Sequence, residues 1–316
     1  MVKKILVTGG NGYIGARLCL YLASRGHRVT PVCYPTIPKD RVWIDKMENV
    51  LVGDVREESF LNELKEESFE VIVHLVSLDH RQSEGNPVLV SSINVVPVWN
   101  ILNVFSKKNL EKFIYFSTVQ VYGQLTTNKI TENTRPKVRN AYGLTHLLGE
   151  DICDFYNRTT SVDCRVIRLS NSYGAPIFEE NNCWWLVVND LCRQAYHDKK
   201  IVLQSDGSPL RDFIHGWDVC QAVEKIMLTR NSDFLYHISS GETLTIGEIA
   251  LCVQKICTNR YGIHIPIIRN GNSSLINQSN YQIDNSLLRG IGFCPKWSLD
   301  KGIGDLFNYM ECNDKK

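Results

Sequence analysis

The sequence predicts an α/β fold, a doubly wound parallel sheet followed by a smaller mixed C-terminal lobe. Three observations predict it. Short apolar runs alternate with helical stretches over the first half, the first run opens straight into a glycine-rich turn, and the periodicity weakens after about Tyr173. Near-continuous apolar strands need cover on both faces, and parallel strands joined by helices supply it.

Taken in order, residues 4–7 read as the first strand, 13–24 as the first helix, and 28–32 and 50–52 as the next two strands. Residues 71–75 form a fourth strand, apolar apart from His74. A long helical pattern over 88–108 leads to a strand at 112–116, a second long helix over 141–156 and a strand at 164–167. Beyond that, 174–182 is loop-rich, 183–197 reads as helix, 200–203 as strand and 245–257 as helix. The expected division is 1–173 and 174–316, with some later segments returning to the first unit.

The chain has 316 residues with a net charge of +1. That balance carries no footprint for nucleic acid, and no membrane partner is expected. The start, Met1 to Thr8, has too short an apolar run for a secretion signal, so a cytoplasmic location is expected. Eleven cysteines are odd in number and scattered, with no C-x-x-C pair. They read as reduced, buried thiols, and no metal is expected.

The turn Thr8-Gly9-Gly10-Asn11-Gly12-Tyr13-Ile14-Gly15 lies between a strand and a helix. Glycines at 9, 12 and 15 let the backbone turn tightly and approach a pyrophosphate, and the helix N-terminus offers free N–H groups to it. A Rossmann-type dinucleotide site over residues 1–173 follows, with 174–316 as the substrate lobe.

The G-x-x-G-x-x-G spacing after Thr8 resembles the extended short-chain dehydrogenase/reductase superfamily, in its branch of nucleotide-sugar epimerases, dehydratases and reductases. The resemblance runs nearly the whole chain. Gly53-Asp54-Val55-Arg56 is similar to the adenine-binding segment, and His74-Leu75-Val76-Ser77 to the family's H-L-A-A. Pro87 and Asn94 match the following helix. Ser117-Thr118-Val119-Gln120-Val121-Tyr122-Gly123 resembles S-S-x-x-V-Y-G. Tyr142 to His146 stands where Y-x-x-x-K belongs. Arg168 to Gly174 resembles R-x-x-N-x-Y-G, and Arg211-Asp212-Phe213 with Asp218-Val219 resembles R-D-F-x-x-x-x-D-V.

The resemblance implies hydride transfer at a sugar carbon, with Tyr142 as acid/base and Thr118 bonded to the reacting oxygen. It implies cofactor contacts from Gly9, Asn11, Gly12, Tyr13, Ile14, Gly15, Cys33, Asp54, Val55, Leu75, Val76, Ser77, Asn94, Tyr142 and His146. The expected substrate contacts are His80, Gln120, Asn171, Trp184 and Arg211, with Arg211 on a diphosphate. Trp184 and Trp185 belong to a segment expected over the pocket, and Asp79-His80-Arg81 is placed to line the sugar.

Three departures matter. His146 replaces the lysine that lowers the tyrosine pKa, and a histidine is mostly neutral at pH 7. Val119 and Gln120 replace the Asp-Glu pair with which relatives eliminate water, so dehydration is not expected. Cys33 replaces an acid at the adenosine ribose, and Lys39 and Arg41 follow it, which tilts the cofactor expectation toward NADP(H) with NAD(H) open. The function expected is 4-ketoreduction of a nucleotide-diphosphate sugar. The alternatives are a 4-epimerase and a non-catalytic dinucleotide binder. By resemblance a homodimer forms through helices 88–108 and 141–156.

Overall fold

The structure is a computed structural model that describes residues 2–125, 128–231, 233–270 and 280–315. Seven strands form one parallel sheet. Their spatial order is Leu235–Ile238, Asp163–Leu169, Lys112–Thr118, Val71–His74, Lys4–Thr8, Arg28–Cys33, Leu51–Val52. Chain order reverses at Lys4–Thr8, since the second strand lies on one side of it and the fourth on the other. A crevice therefore opens beyond Thr8 and His74, where ligands bind in such sheets.

Alternation along the first strand explains the two covered faces. Ile5 and Val7 point into one core with Leu18, Val73 and Val223, beneath the helices Tyr13–Ser24 and Gly216–Leu228. Leu6 points the other way, into a core with Ile72, Phe113, Ile101 and Cys153, beneath Val96–Phe105 and Ala141–Thr159. A third core in the later part gathers Val188, Ile249, Val253 and Phe307 from the helices Val187–Arg193, Ile246–Tyr261 and Leu299–Asn313.

Several elements differ from expectation. The helix expected over 88–108 is two helices, Pro87–Asn94 and Val96–Phe105, meeting at Val95. Pro97 has no N–H to give the carbonyl four residues back, so a continuous ladder breaks there. The helix expected from 183 starts at Val187, and after Arg193 it widens into a π-type turn through Asp198. The strand at 200–203 forms as Ile201–Leu203 and pairs with Ile267–Arg269. Strands Asn171–Tyr173, Leu210–His215 and Thr243–Thr245 make a small sheet without counterpart in the sequence reading. All eleven cysteines are free, and eight are buried.

The segment 87–105 has a mean hydropathy of 1.7 and is by composition long and apolar enough to cross a membrane. One face is used in the core. The other leaves Val88, Leu89, Val96 and Trp99 exposed, next to Leu144, Leu148 and Phe155 of the neighbouring long helix. Trp99 and Phe155 stack there, with centroids 5.9 Å apart.

Candidate active site

The turn after the first strand is shaped by close approach. Gly9 has φ of +72°, and a Cβ on Gly15 would lie 2.1 Å from the Gly9 carbonyl oxygen. Only glycine fits the first conformation without strain and the second contact at all. Gly12 caps the helix Tyr13–Ser24 without any side-chain acceptor, and the first turn has no acid. The N–H groups at the helix start are thus directed at the crevice with no competing carboxylate, as an anionic pyrophosphate requires. These residues fit a dinucleotide.

The crevice widens into a cleft of about 900 Å³. Gly9, Gly12, Tyr13, Ile14, Gly15, Leu75 and Ser77 line one wall. Thr118, Gln120, Tyr142, His80, Asn171 and Arg211 line the other side and the far end. The structure thus brings thirteen of the expected site residues to a single cavity. The Tyr13 hydroxyl donates to the Gly174 carbonyl at 2.8 Å, which ties the glycine turn to the later part of the chain.

Eight expected site residues do not line this cavity. Asn11 points away from the cleft, bonded to the Tyr34 backbone in both directions, its Nδ2 donating at 3.0 Å and its Oδ1 accepting at 3.3 Å. Cys33 is wholly enclosed in the core with Leu18, Cys19 and Trp43, because the inward face of the strand reaches its last residue. Asp54 accepts from the Arg56 side chain at 2.8–2.9 Å, and Arg56 holds its carboxyl below the usual range. Val55 is buried, and Val76 packs on the backbone beside Gly9. Asn94 is used up internally. Its Oδ1 accepts from the Leu78 N–H at 2.7 Å and its Nδ2 donates to Thr145 Oγ1 at 3.0 Å, which latches the loop after the fourth strand to the helix of Tyr142. Trp184 turns into the later core, with its ring 6.0 Å from Tyr309, and Trp185 faces the cleft in its place. Two adjacent indoles in one turn cannot share a face, and the sequence alone does not say which goes in.

The eighth is His146. It is one turn from Tyr142 with ring centroids 4.2 Å apart, yet it is buried and does not line the cleft. Its Nδ1 donates to the Tyr142 carbonyl at 2.8 Å, which leaves Nε2 as acceptor. Burial pushes its pKa down to about 4. At neutral pH the imidazole is uncharged and cannot do electrostatically what a lysine does. Beside it His74 is also neutral, pushed to about 3 by burial and then by His146, with Nδ1 2.7 Å from Thr8 Oγ1.

Tyr142 is pushed up to about 12, chiefly by burial, with the Asp79 charge adding to it and a hydrogen bond with Thr118 opposing it. Asn140 caps this helix by accepting from the Gly143 N–H at 2.7 Å, and its Nδ2 donates to Gln120 at 3.1 Å. The arrangement presents a neutral phenol, a hydroxyl partner and a nearby arginine to one cavity. Arg81, Arg139, Tyr281 and Trp185 also line it. Of these, the sequence pointed only to the segment of the two indoles and to the tripeptide 79–81.

The sequence matches the NAD dependent epimerase/dehydratase family over residues 5–239. It is 25% identical over 313 residues to a putative UDP-glucose 4-epimerase of Methanocaldococcus jannaschii, covering 98% of this chain and 99% of the relative. The fold superposes with a TM-score of 0.83 on the UDP-glucose 4-epimerase of Thermotoga maritima, solved with UDP-glucose, at 21% identity and 98% and 99% coverage. It superposes with a TM-score of 0.79 on the UDP-glucuronic acid 4-epimerase of Bacillus cereus, solved with UDP-glucuronic acid and NAD, at 21% identity and the same coverage. With the match spanning most of the chain and the glycine turn, Thr118 and Tyr142 around one cleft, this protein belongs to the NAD-dependent epimerase/dehydratase family of enzymes, within the extended short-chain dehydrogenase/reductase superfamily.

Proposed function

We propose that the protein is an NAD-dependent 4-epimerase of a nucleotide-diphosphate sugar. The observation that carries this reading is Tyr142 beside Thr118 in the same cavity as the glycine turn and Arg211. Several of the relatives it matches are named for that reaction. A bound nicotinamide would supply the hydride acceptor and donor. Tyr142 would take the proton of the C4 hydroxyl and return it, Thr118 would hydrogen-bond the same oxygen, and Arg211 would hold the diphosphate. Residues 1–173 would serve as the dinucleotide unit and 174–316 as the substrate lobe.

One observation favours a second reading, 4-ketoreduction. A phenol at about 12 is ionised in only about one molecule in 10⁵ at pH 7, and His146 adds no positive charge. Epimerisation begins by deprotonating an alcohol, whereas ketoreduction needs the phenol protonated. Incubating the protein with UDP-glucose and NAD and following the sugar H4 resonance by NMR tests the main reading. Appearance of the C4 epimer without net cofactor consumption supports it. Turnover only of a 4-ketosugar with NADH overturns it in favour of reduction.

NAD is taken as cofactor because the matched family is NAD dependent and a solved relative carries NAD, and with Cys33 enclosed the expectation of NADP(H) is left with Lys39 and Arg41 alone. Calorimetry comparing NAD with NADP decides it. The exposed strip of Val88, Trp99, Leu148 and Phe155 supports a two-fold homodimer. Light scattering should give twice the chain mass, and Trp99→Asp should shift it to the monomer.

A further inference from the structure

The described residues lining the cleft include three arginines, Arg81, Arg139 and Arg211, and no aspartate or glutamate. Arg139 packs beside Gly123, where a Cβ would meet its Cγ at 3.2 Å. The nearby Leu125 belongs to the small apolar cluster of Leu210 and Tyr281 that leads into Arg211. Arg139 and Arg211 both line the cleft, and they would offer two guanidinium groups for the two charges of a diphosphate.

Arg81 is on the loop that follows the fourth strand. Its guanidinium carbon lies 5.1 Å over the Trp185 ring, and the His80 ring is 5.5 Å from the same indole. Ser77, His80 and Arg81 from this segment line the same cleft as Thr118 and Tyr142. The loop is also well held. Asp79 Oδ1 accepts from the Arg81 N–H at 2.9 Å and the Gln82 N–H at 2.8 Å, and Asn94 fixes Leu78 to the catalytic helix. A guanidinium stacked on an indole keeps its edge donors free for a planar acceptor. A neutral hexose gives such a group nothing charged to bind.

We infer that the site selects a nucleotide-diphosphate sugar bearing an acidic substituent on the hexose, a carboxylate of the uronic acid type, read by Arg81 on its Trp185 platform. This deepens the nucleotide-sugar reading and rests on it.

The test uses the NAD-loaded protein and calorimetry with UDP-glucuronate and UDP-glucose as probes. UDP-glucuronate should bind roughly 10-fold or more tighter, the worth of a hydrogen-bonded charge pair. Arg81→Met keeps a stem against the indole but removes the charge, and it should collapse that ratio toward one, with Arg81→Lys restoring part of it. The advantage of the acidic ligand should also shrink as salt rises. Equal binding of the two probes, or a ratio that survives Arg81→Met, overturns the assignment while leaving a nucleotide-sugar site intact. Binding of NAD with neither nucleotide sugar overturns both.

Discussion

The two walls of the cleft are built by different means. The wall from Gly9 to Gly15 works with main-chain groups, and its side chains matter chiefly by being absent. The facing wall works with side chains, Tyr142, Thr118, Arg81 and Arg211, drawn from segments as far apart as 81 and 211. The first wall is one continuous turn and holds the part of the chemistry that is constant. The second is assembled piecemeal and, on the proposed function, would hold the part that varies with the sugar. Damage to one wall should then be separable from damage to the other.

The largest effect should come from Tyr142→Phe. Removing the acid/base hydroxyl should cost about 10²–10⁴-fold in turnover, while NAD affinity by calorimetry changes by less than about tenfold. Equal loss of both would collapse the distinction between the walls. Gly15→Ala is the converse. Its new methyl would collide with the Gly9 carbonyl, and overpacking of that kind costs about 1–3 kcal/mol, so NAD should bind about 10–10²-fold more weakly. Unchanged NAD binding would remove the glycine turn from the phosphate site.

A subtler test adds charge behind the second wall. His146→Lys places a cation one turn from Tyr142 and lowers the phenol pKa. Below that pKa the tyrosinate fraction rises tenfold per pH unit, so oxidation of the alcohol by the native protein should climb steadily from pH 7 to 9. The variant should oxidise at least about tenfold faster at pH 7 and show a flatter profile. A native profile already flat across that range would mean that some other group ionises Tyr142.

The smallest effect, per residue, lies underneath both walls. His74 and His146 are buried neutral, with folded pKa values of about 3 and 4 against an ordinary 6.5. His215 and His237 are likewise depressed by burial to about 3 and about 4. Between pH 6.5 and 4 the unfolded chain binds the extra protons, so stability should fall as pH drops through that window. Each histidine contributes about 1.4 kcal/mol per pH unit at most. Thermal melts at pH 7 and pH 5 should differ, and His146→Gln should narrow the gap. Equal melting temperatures would show that these rings gain protons without unfolding.

The first wall was legible because its signal is contiguous. A strand, three glycines and a helix in fifteen residues state both the geometry and its purpose. The position of Tyr142 and Thr118 was legible through motif resemblance. What could not be read was orientation. Cys33 stands at the right place in the strand but faces the core, Asn94 uses both ends of its amide in holding a loop, and His146 turns its only donor back on its own helix. Each is a choice among rotamers made by neighbours distant in sequence. The small sheet of 171–173, 210–215 and 243–245 was missed because strands of three to six residues carry no readable period.

The seventh strand of the main sheet, Leu235–Ile238, arrives some sixty residues after the strand it pairs with. Until it is made, Asp163–Leu169 is an outer strand whose residues from Cys164 onward are apolar or destined for burial. Such an edge is an open template for another chain. During synthesis, the sheet therefore stays adhesive on that side until residue 238 has left the ribosome, and the Gly216–Leu228 helix that covers Tyr13–Ser24 comes out in the same interval. A chain ending at residue 173 would contain the entire glycine turn and the hydroxyls of Thr118 and Tyr142, and it should aggregate.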